Sequence, residues 1–165
     1  MSTIKTRKRS RRKKIVMSKG EELCGYWLQQ FGLSPISQYR IPSLPNYMYD
    51  YYFVVDDPHQ GPLEFLLEFD GKQHFEYTPW FHRNPKNFQR KRTRDLLKTT
   101  VAIMDGYYLI RLDEDSLIDI KEILTTAIKG ERRLYLSNRD KYSFLITTLI
   151  PYKWIEKYGQ HLNLC

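Results

Sequence analysis

The chain is poor in cysteine. Its two thiols, Cys24 and Cys165, stand near opposite ends with no C-x-x-C spacing, which argues against a disulfide framework and against a thiolate zinc site. Long apolar runs are missing too: nothing approaches the ~20 residues that cross a bilayer, and no apolar segment of the length found in secretory signals follows the N-terminal charges. Acidic residues are absent from the first fourteen positions, where Lys5, Arg7, Lys8, Arg9, Arg11, Arg12, Lys13 and Lys14 stand without a counter-charge. Removing those eight from the 27 basic residues leaves 19, equal to the 19 acidic residues, so the formal charge of +8 belongs to the N-terminal arm and the body is neutral. A segment so charged and so poor in apolar groups cannot bury enough surface to order itself, and residues 1–16 are expected to form a disordered basic arm. Arg7 through Lys14 read as phosphate contacts or a nuclear-import address in preference to a solubilising tail. The expectation is an intracellular protein, nuclear if the arm is an import address, with no membrane partner.

Aromatic residues are abundant, with thirteen Tyr, eight Phe and three Trp. Residues 17–165 are enough for one domain with a single core. Ser18 and Glu21 have the capping-box spacing, and the apolar positions after them predict a helix over about 19–31. The prolines between 33 and 48 predict a loop with one short edge strand around Gln38–Ile41. Tyr47–Val55 and Leu63–Phe69 read as strands joined by the turn at Asp56–Pro62, an antiparallel hairpin. A loop from Phe75 to Pro85 leads into a long helix to Met104, with an apolar stripe through Phe88, Leu96, Leu97, Thr100 and Val101. The cations Arg90, Lys91, Arg92, Arg94 and Lys98 are placed on its outward face as nucleic-acid contacts. Tyr107–Leu112 is a further strand, Ser116 caps a helix ended by Gly130, Leu134–Leu136 is strand-like, and helices are expected around Tyr142–Leu149 and Tyr152–Tyr158.

The densest chemistry lies at Leu66–Phe75. Period-2 alternation puts Phe65, Leu67 and Phe69 on one sheet face and Glu64, Leu66, Glu68 and Asp70 on the other. Two carboxylates side by side repel, so Glu68 and Asp70 are expected either to look into water or to hold a cation. Asp50, alone among Tyr49, Tyr51, Tyr52 and Phe53, also demands a partner. Glu21 and Glu22 at the start of the first helix are satisfied by its dipole when taken alone.

Together, Ser18-Lys19-Gly20-Glu21, Tyr49-Asp50-Tyr51, Glu68-Phe69-Asp70-Gly71-Lys72-Gln73-His74-Phe75 and Gln89–Lys98 followed by Gly106-Tyr107-Tyr108-Leu109-Ile110-Arg111 resemble the PD-(D/E)XK restriction-endonuclease-like superfamily. The likeness is nearest to the branch of very-short-patch-repair endonucleases and small virus- or phage-encoded relatives, and it spans about residues 18–112. It implies an α/β fold with a restriction-endonuclease-like core, a small mixed sheet with a central antiparallel hairpin flanked by helices, and residues 113–165 as a helical extension. It implies a Mg2+- or Mn2+-dependent endonuclease acting on DNA, with RNA also open, as a monomer or homodimer. Carried over by position, Asp50 and Glu68 are the metal ligands and Glu21 the acid that orients the site. The sequence departs from the pattern at Asp70, where many members carry Lys. Either Asp70-Gly71-Lys72 supplies the acid-x-Lys triplet in a shifted register, or Asp70 belongs to the site and the nucleophilic water is activated by metal alone or with Gln73 or His74; the shared face of Glu68 and Asp70 favours the second. The alternative function is a catalytically inactive nucleic-acid-binding or virion-associated protein on the same fold.

Overall fold

The structure is a computed structural model and describes residues 17–130 and 132–149. The basic arm of residues 1–16, with Arg7, Lys8, Arg9, Arg11, Arg12, Lys13 and Lys14, and the expected helix at Tyr152–Tyr158 lie outside the described residues. Five strands form one mixed sheet in sequential order: β1 Ile36–Tyr39, β2 Tyr49–Asp57, β3 Gly61–Asp70, β4 Tyr108–Asp113 and β5 Leu134–Leu136. The pairs β1/β2 and β2/β3 are antiparallel, whereas β3/β4 and β4/β5 are parallel. The helices are α1 Lys19–Gln30, α2 Pro79–His82, α3 Pro85–Met104, α4 Ile120–Lys129 and α5 Ser143–Leu149; α2 and α3 lie in the β3–β4 crossover and α4 in the β4–β5 crossover.

Local chemistry explains the hairpin. Asp57 Oδ1 accepts the amides of His59 and Gln60, both at 2.8 Å, and Gly61 takes a φ of +79° that an L side chain resists. Along β3 the expected alternation holds. Phe65 and Leu67 join Tyr51, Phe53, Ile110 and Leu112 in a core closed by Cys24 and Leu28 of α1 and by Leu124 and Ala127 of α4. Leu66 and Leu109 face the other way, onto Ala102 of α3 with Ile41 and Tyr49. Stacked rings of Phe53, Phe65 and Tyr108 run across three strands at centroid spacings of 5.2 and 4.9 Å.

Two expectations are corrected. Ser116 does not cap a helix: its hydroxyl donates to Asp113 Oδ1 at 2.6 Å within a 3-10 turn, and α4 begins at Ile120. The buried face of α3 is not the apolar stripe read from the sequence. It comprises Phe88, Asp95, Lys98, Thr99 and Ala102, while Leu97 is exposed. Asp95 and Lys98 turn inward because the sheet surface beneath them carries Glu68, Asp70 and Arg111. Among the described residues, no helix is long and apolar enough to cross a membrane.

Candidate functional site

The β2/β3 pairing starts at Tyr51 opposite Leu67 and continues to the turn. One residue earlier the two strands part, and the Asp50 side chain fills the gap: its Oδ2 accepts the Phe69 amide at 2.7 Å. Among the described residues this is the one hydrogen bond that the Asp50 carboxylate accepts. Glu68 lies opposite on the α3 side of the sheet, buried, and its Oε1 meets Lys98 Nζ. The Lys98 ammonium also sits 4.8 Å from the centroid of the Tyr49 ring, whose hydroxyl donates to the Lys98 carbonyl at 2.8 Å. Glu21 approaches from α1, where Ser18 Oγ donates to its Oε1 at 3.0 Å and its carbonyl accepts the Tyr51 hydroxyl at 3.0 Å.

Charge at this end of the hairpin is unbalanced. Burial, then the Glu68 carboxylate, push Asp50 up to about 8; the Phe69 amide and Lys98 oppose them, and Glu21 adds to the rise. Burial also raises Glu68, against the pull of Lys98 and Arg111. The arrangement has the donor character of a cation site. It is not a closed three-carboxylate cage: among the described residues, the trio whose ligand atoms all lie within 4.8 Å of one another is a different one, Asp70, His74 and Asp95.

That second cluster is an interior ion network. Arg111 is fully buried on β4 and grips Asp70 with two bonds, Nη2 to Oδ1 at 2.7 Å and Nε to Oδ2 at 2.8 Å. Its Nη1 donates to Thr99 Oγ1 at 3.0 Å, and Nη2 lies 3.5 Å from Asp95 Oδ1. Tyr142 donates to Asp70 Oδ2 at 2.9 Å. His74 Nδ1 stands 3.0 Å from Asp70 Oδ1 and 2.9 Å from Asp95 Oδ2; a carboxylate only accepts, so Nδ1 is the donor and Nε2 remains for exchange with a ligand. Burial pushes Asp70 up, but Arg111, His74 and Tyr142 outweigh it and hold the carboxyl at about 2. Arg111 bonds Asp70 and lies 3.5 Å from Asp95, so both carboxylates of this trio already meet a protein cation.

The sequence offered water or a cation for Glu68 and Asp70; each is instead buried against a protein cation, Lys98 and Arg111. Lys72 does not reach the site. Its side chain is exposed and 3.8 Å from Glu76, which removes the shifted acid-x-Lys register. Gln73 is half-buried, and its carbonyl accepts His82 Nε2 at 2.8 Å. Lys98 leaves the set of outward-facing cations. Arg92 is half-buried as well: Nη2 donates to the Phe75 carbonyl at 3.1 Å, and the guanidinium lies over the Phe88 and Phe144 rings. Arg90 and Arg94 are exposed, and Lys91 is half-buried. A cavity of about 310 Å³ beside the site is lined by His74, Lys91, Arg94 and Lys98 on one side and by Asn46, Tyr47 and Met48 on the other.

Asp95, Arg111 and Tyr142 were missed by sequence reasoning. Positions 88, 95, 98, 99 and 102 do recur at helical spacing, so a buried face was legible once charged residues were admitted to it; Tyr142 gave no such signal. No family model, no curated protein and no solved structure matches the chain.

Proposed function

We propose that the protein is a divalent-cation-dependent endonuclease that hydrolyses phosphodiester bonds in DNA on a restriction-endonuclease-like core. One observation carries the reading: carboxylates from α1, β2 and β3 and an ammonium from α3 converge where the β2/β3 hairpin opens, with more negative than positive charge around Asp50. The element order, a helix, an antiparallel hairpin, a long helix and a strand parallel to β3, agrees with it.

Asp50 and Glu68 would hold Mg2+ or Mn2+. Both offer hard oxygen donors, and Asp50 has lone pairs left over after its single hydrogen bond. When bound, such an ion polarises a phosphate and makes water more acidic. The chain's own groups do the rest. Lys98 offsets charge on Glu68 and on a phosphate beside it. Lys91 and Arg94 position the flanking backbone from the cavity wall. His74, oriented through Nδ1–H by Asp70 and Asp95, would act from Nε2: as imidazolium, protonated on both nitrogens, it gives the Nε2 proton to a leaving oxygen and becomes the neutral Nδ1–H tautomer. Asp70 acts only through His74 and Arg111, and Glu21 adds negative charge near Asp50.

One observation favours a second reading. Lys98 already neutralises Glu68, which suits a catalytically inactive nucleic-acid-binding or virion-associated protein. Incubation with supercoiled DNA and Mg2+ or Mn2+ separates the two, using the wild type, Asp50→Ala and Glu68→Ala. Metal-dependent nicking abolished by both substitutions supports the enzyme; binding without cutting in either metal overturns it.

A further inference from the structure

The turn at α2 presents two large rings to solvent, Trp80 at 87% and Phe81 at 60% exposed. Such exposure is costly in a segment that is otherwise firmly held. His82 at its end is buried, with Nε2 donating to the Gln73 carbonyl at 2.8 Å and Nδ1 accepting the Thr78 amide at 3.0 Å. Asn87 Nδ2 donates to the His82 carbonyl at 2.9 Å, and the Asn84 side chain caps α3 by accepting the Asn87 amide at 2.9 Å. Arg83 closes the turn at φ +61°, a strained conformation for a residue with a Cβ. The backbone is thus over-determined while its two largest side chains are left uncovered. Phe81 borders a groove of about 850 Å³ whose other wall is α3, with Arg90, Lys91 and Arg94 along it. Lys91 and Arg94 also line the smaller cavity next to Lys98. The two spaces share Lys91 and Arg94 as wall residues and so adjoin along α3, a track of about 16 Å from Asn87 to Lys98 at the helical rise.

We propose that this track binds an unpaired nucleic-acid strand, with bases stacked on Phe81 and Trp80 and phosphates held by Arg90, Lys91 and Arg94. The proposal rests on the endonuclease reading for what happens at the far end of the track, but not for the binding itself. A cationic groove alone would hold a duplex equally well. The uncovered rings distinguish the two occupants, because bases expose their faces only when unpaired, and stacking on aromatic side chains is tolerant of sequence. Cations on one wall and the Phe81 ring on the other, with the exposed Trp80 next to it in the chain, match the two faces of a single strand, its backbone and its bases.

The test is binding in the presence of a chelator, so that no cutting is required, with the full chain and short oligothymidylate, oligouridylate or a duplex of mixed sequence. Tryptophan fluorescence and affinity are both read. Expected results are quenching by the single strands and little by the duplex, loss of that quenching in Trp80→Phe with affinity kept, and weakening by about tenfold for the single strand in Trp80→Ala or Phe81→Ala. Both rings are exposed, so circular dichroism and Tm should show these variants folded. A thymidylate strand bound more tightly than uridylate identifies DNA, and the reverse identifies RNA. The proposal is overturned if quenching persists in Trp80→Phe, if Trp80→Ala and Phe81→Ala bind the strand as the wild type does, or if duplex and single strand behave alike. Those outcomes leave the cutting assay untouched, just as quenching without cutting would remove the endonuclease and keep the groove.

Discussion

At Asp50, burial and the neighbouring Glu68 carboxylate hold the carboxyl at about 8, far above the unfolded value near 4. An acid raised on folding contributes stability that is complete below the unfolded pKa and is lost as pH rises through the folded one. Metal-free protein should therefore lose stability between about pH 4 and 8, and Asp50→Asn should flatten that slope, as Tm in chelator across the range would show. A cation must compete with the same proton, so apparent Mg2+ or Mn2+ affinity should climb up to tenfold per pH unit towards pH 8 and level off above it; calorimetric titration at several pH values checks this. Lys98 gives a second prediction at this scale. Lys98→Met leaves the Glu68 carboxylate buried without its cation and should cost about 3–5 kcal/mol, whereas adding Glu68→Gln should recover much of the loss in chemical denaturation.

Among the elements, the seam where β3, β4, α3 and α5 meet depends on the fork of Arg111. A lysine there keeps the charge but cannot reproduce the bidentate grip on Asp70 together with the bond to Thr99. Arg111→Lys should lose at least about 2 kcal/mol by urea denaturation. In the wild type the Asp70 contribution should fade only as pH falls from about 4 through 2, because its folded pKa is the lowered one. Helix α1 is set against the sheet by a glycine: a Cβ at Gly25 would collide with the hydroxyl of Tyr51, which is buried and bonded to the Glu21 carbonyl. Gly25→Ala gains helix propensity of about 1 kcal/mol but overpacks by about 1–3 kcal/mol, so a net Tm decrease of a few degrees is expected in a thermal melt.

For the whole molecule, the separation of charge between a basic arm and a neutral body has a measurable consequence. Each phosphate neutralised contributes about 0.7–0.9 to the slope of log affinity against log salt. Deleting residues 1–14 removes eight cations and should flatten the salt dependence of DNA binding more than Arg90→Ala with Arg94→Ala does. The double substitution should change the slope by no more than about 2. Filter binding over a salt series reads both.

Most of the elements were legible in the sequence, because their signals are local; α2, read as part of a loop, and the start of α4 were not. Alternation along Leu63–Phe69 placed Leu66, Glu68 and Asp70 on one face, the Asp57–Gly61 turn closed the hairpin, and Ser18 began α1. It also singled out Asp50 and Glu68, since isolated carboxylates amid apolar strands stand out whatever surrounds them. Which cation each acid meets follows from packing between distant elements. Asp70 and Arg111 are 41 residues apart, Tyr142 is 72 residues from Asp70, and Lys98 comes to Glu68 from a helix whose charges read as an outward face contacting nucleic acid. Partner choice among buried charges depends on distances of a few ångströms between elements far apart in sequence. Periodicity says which way a side chain points, and packing alone says what it finds there.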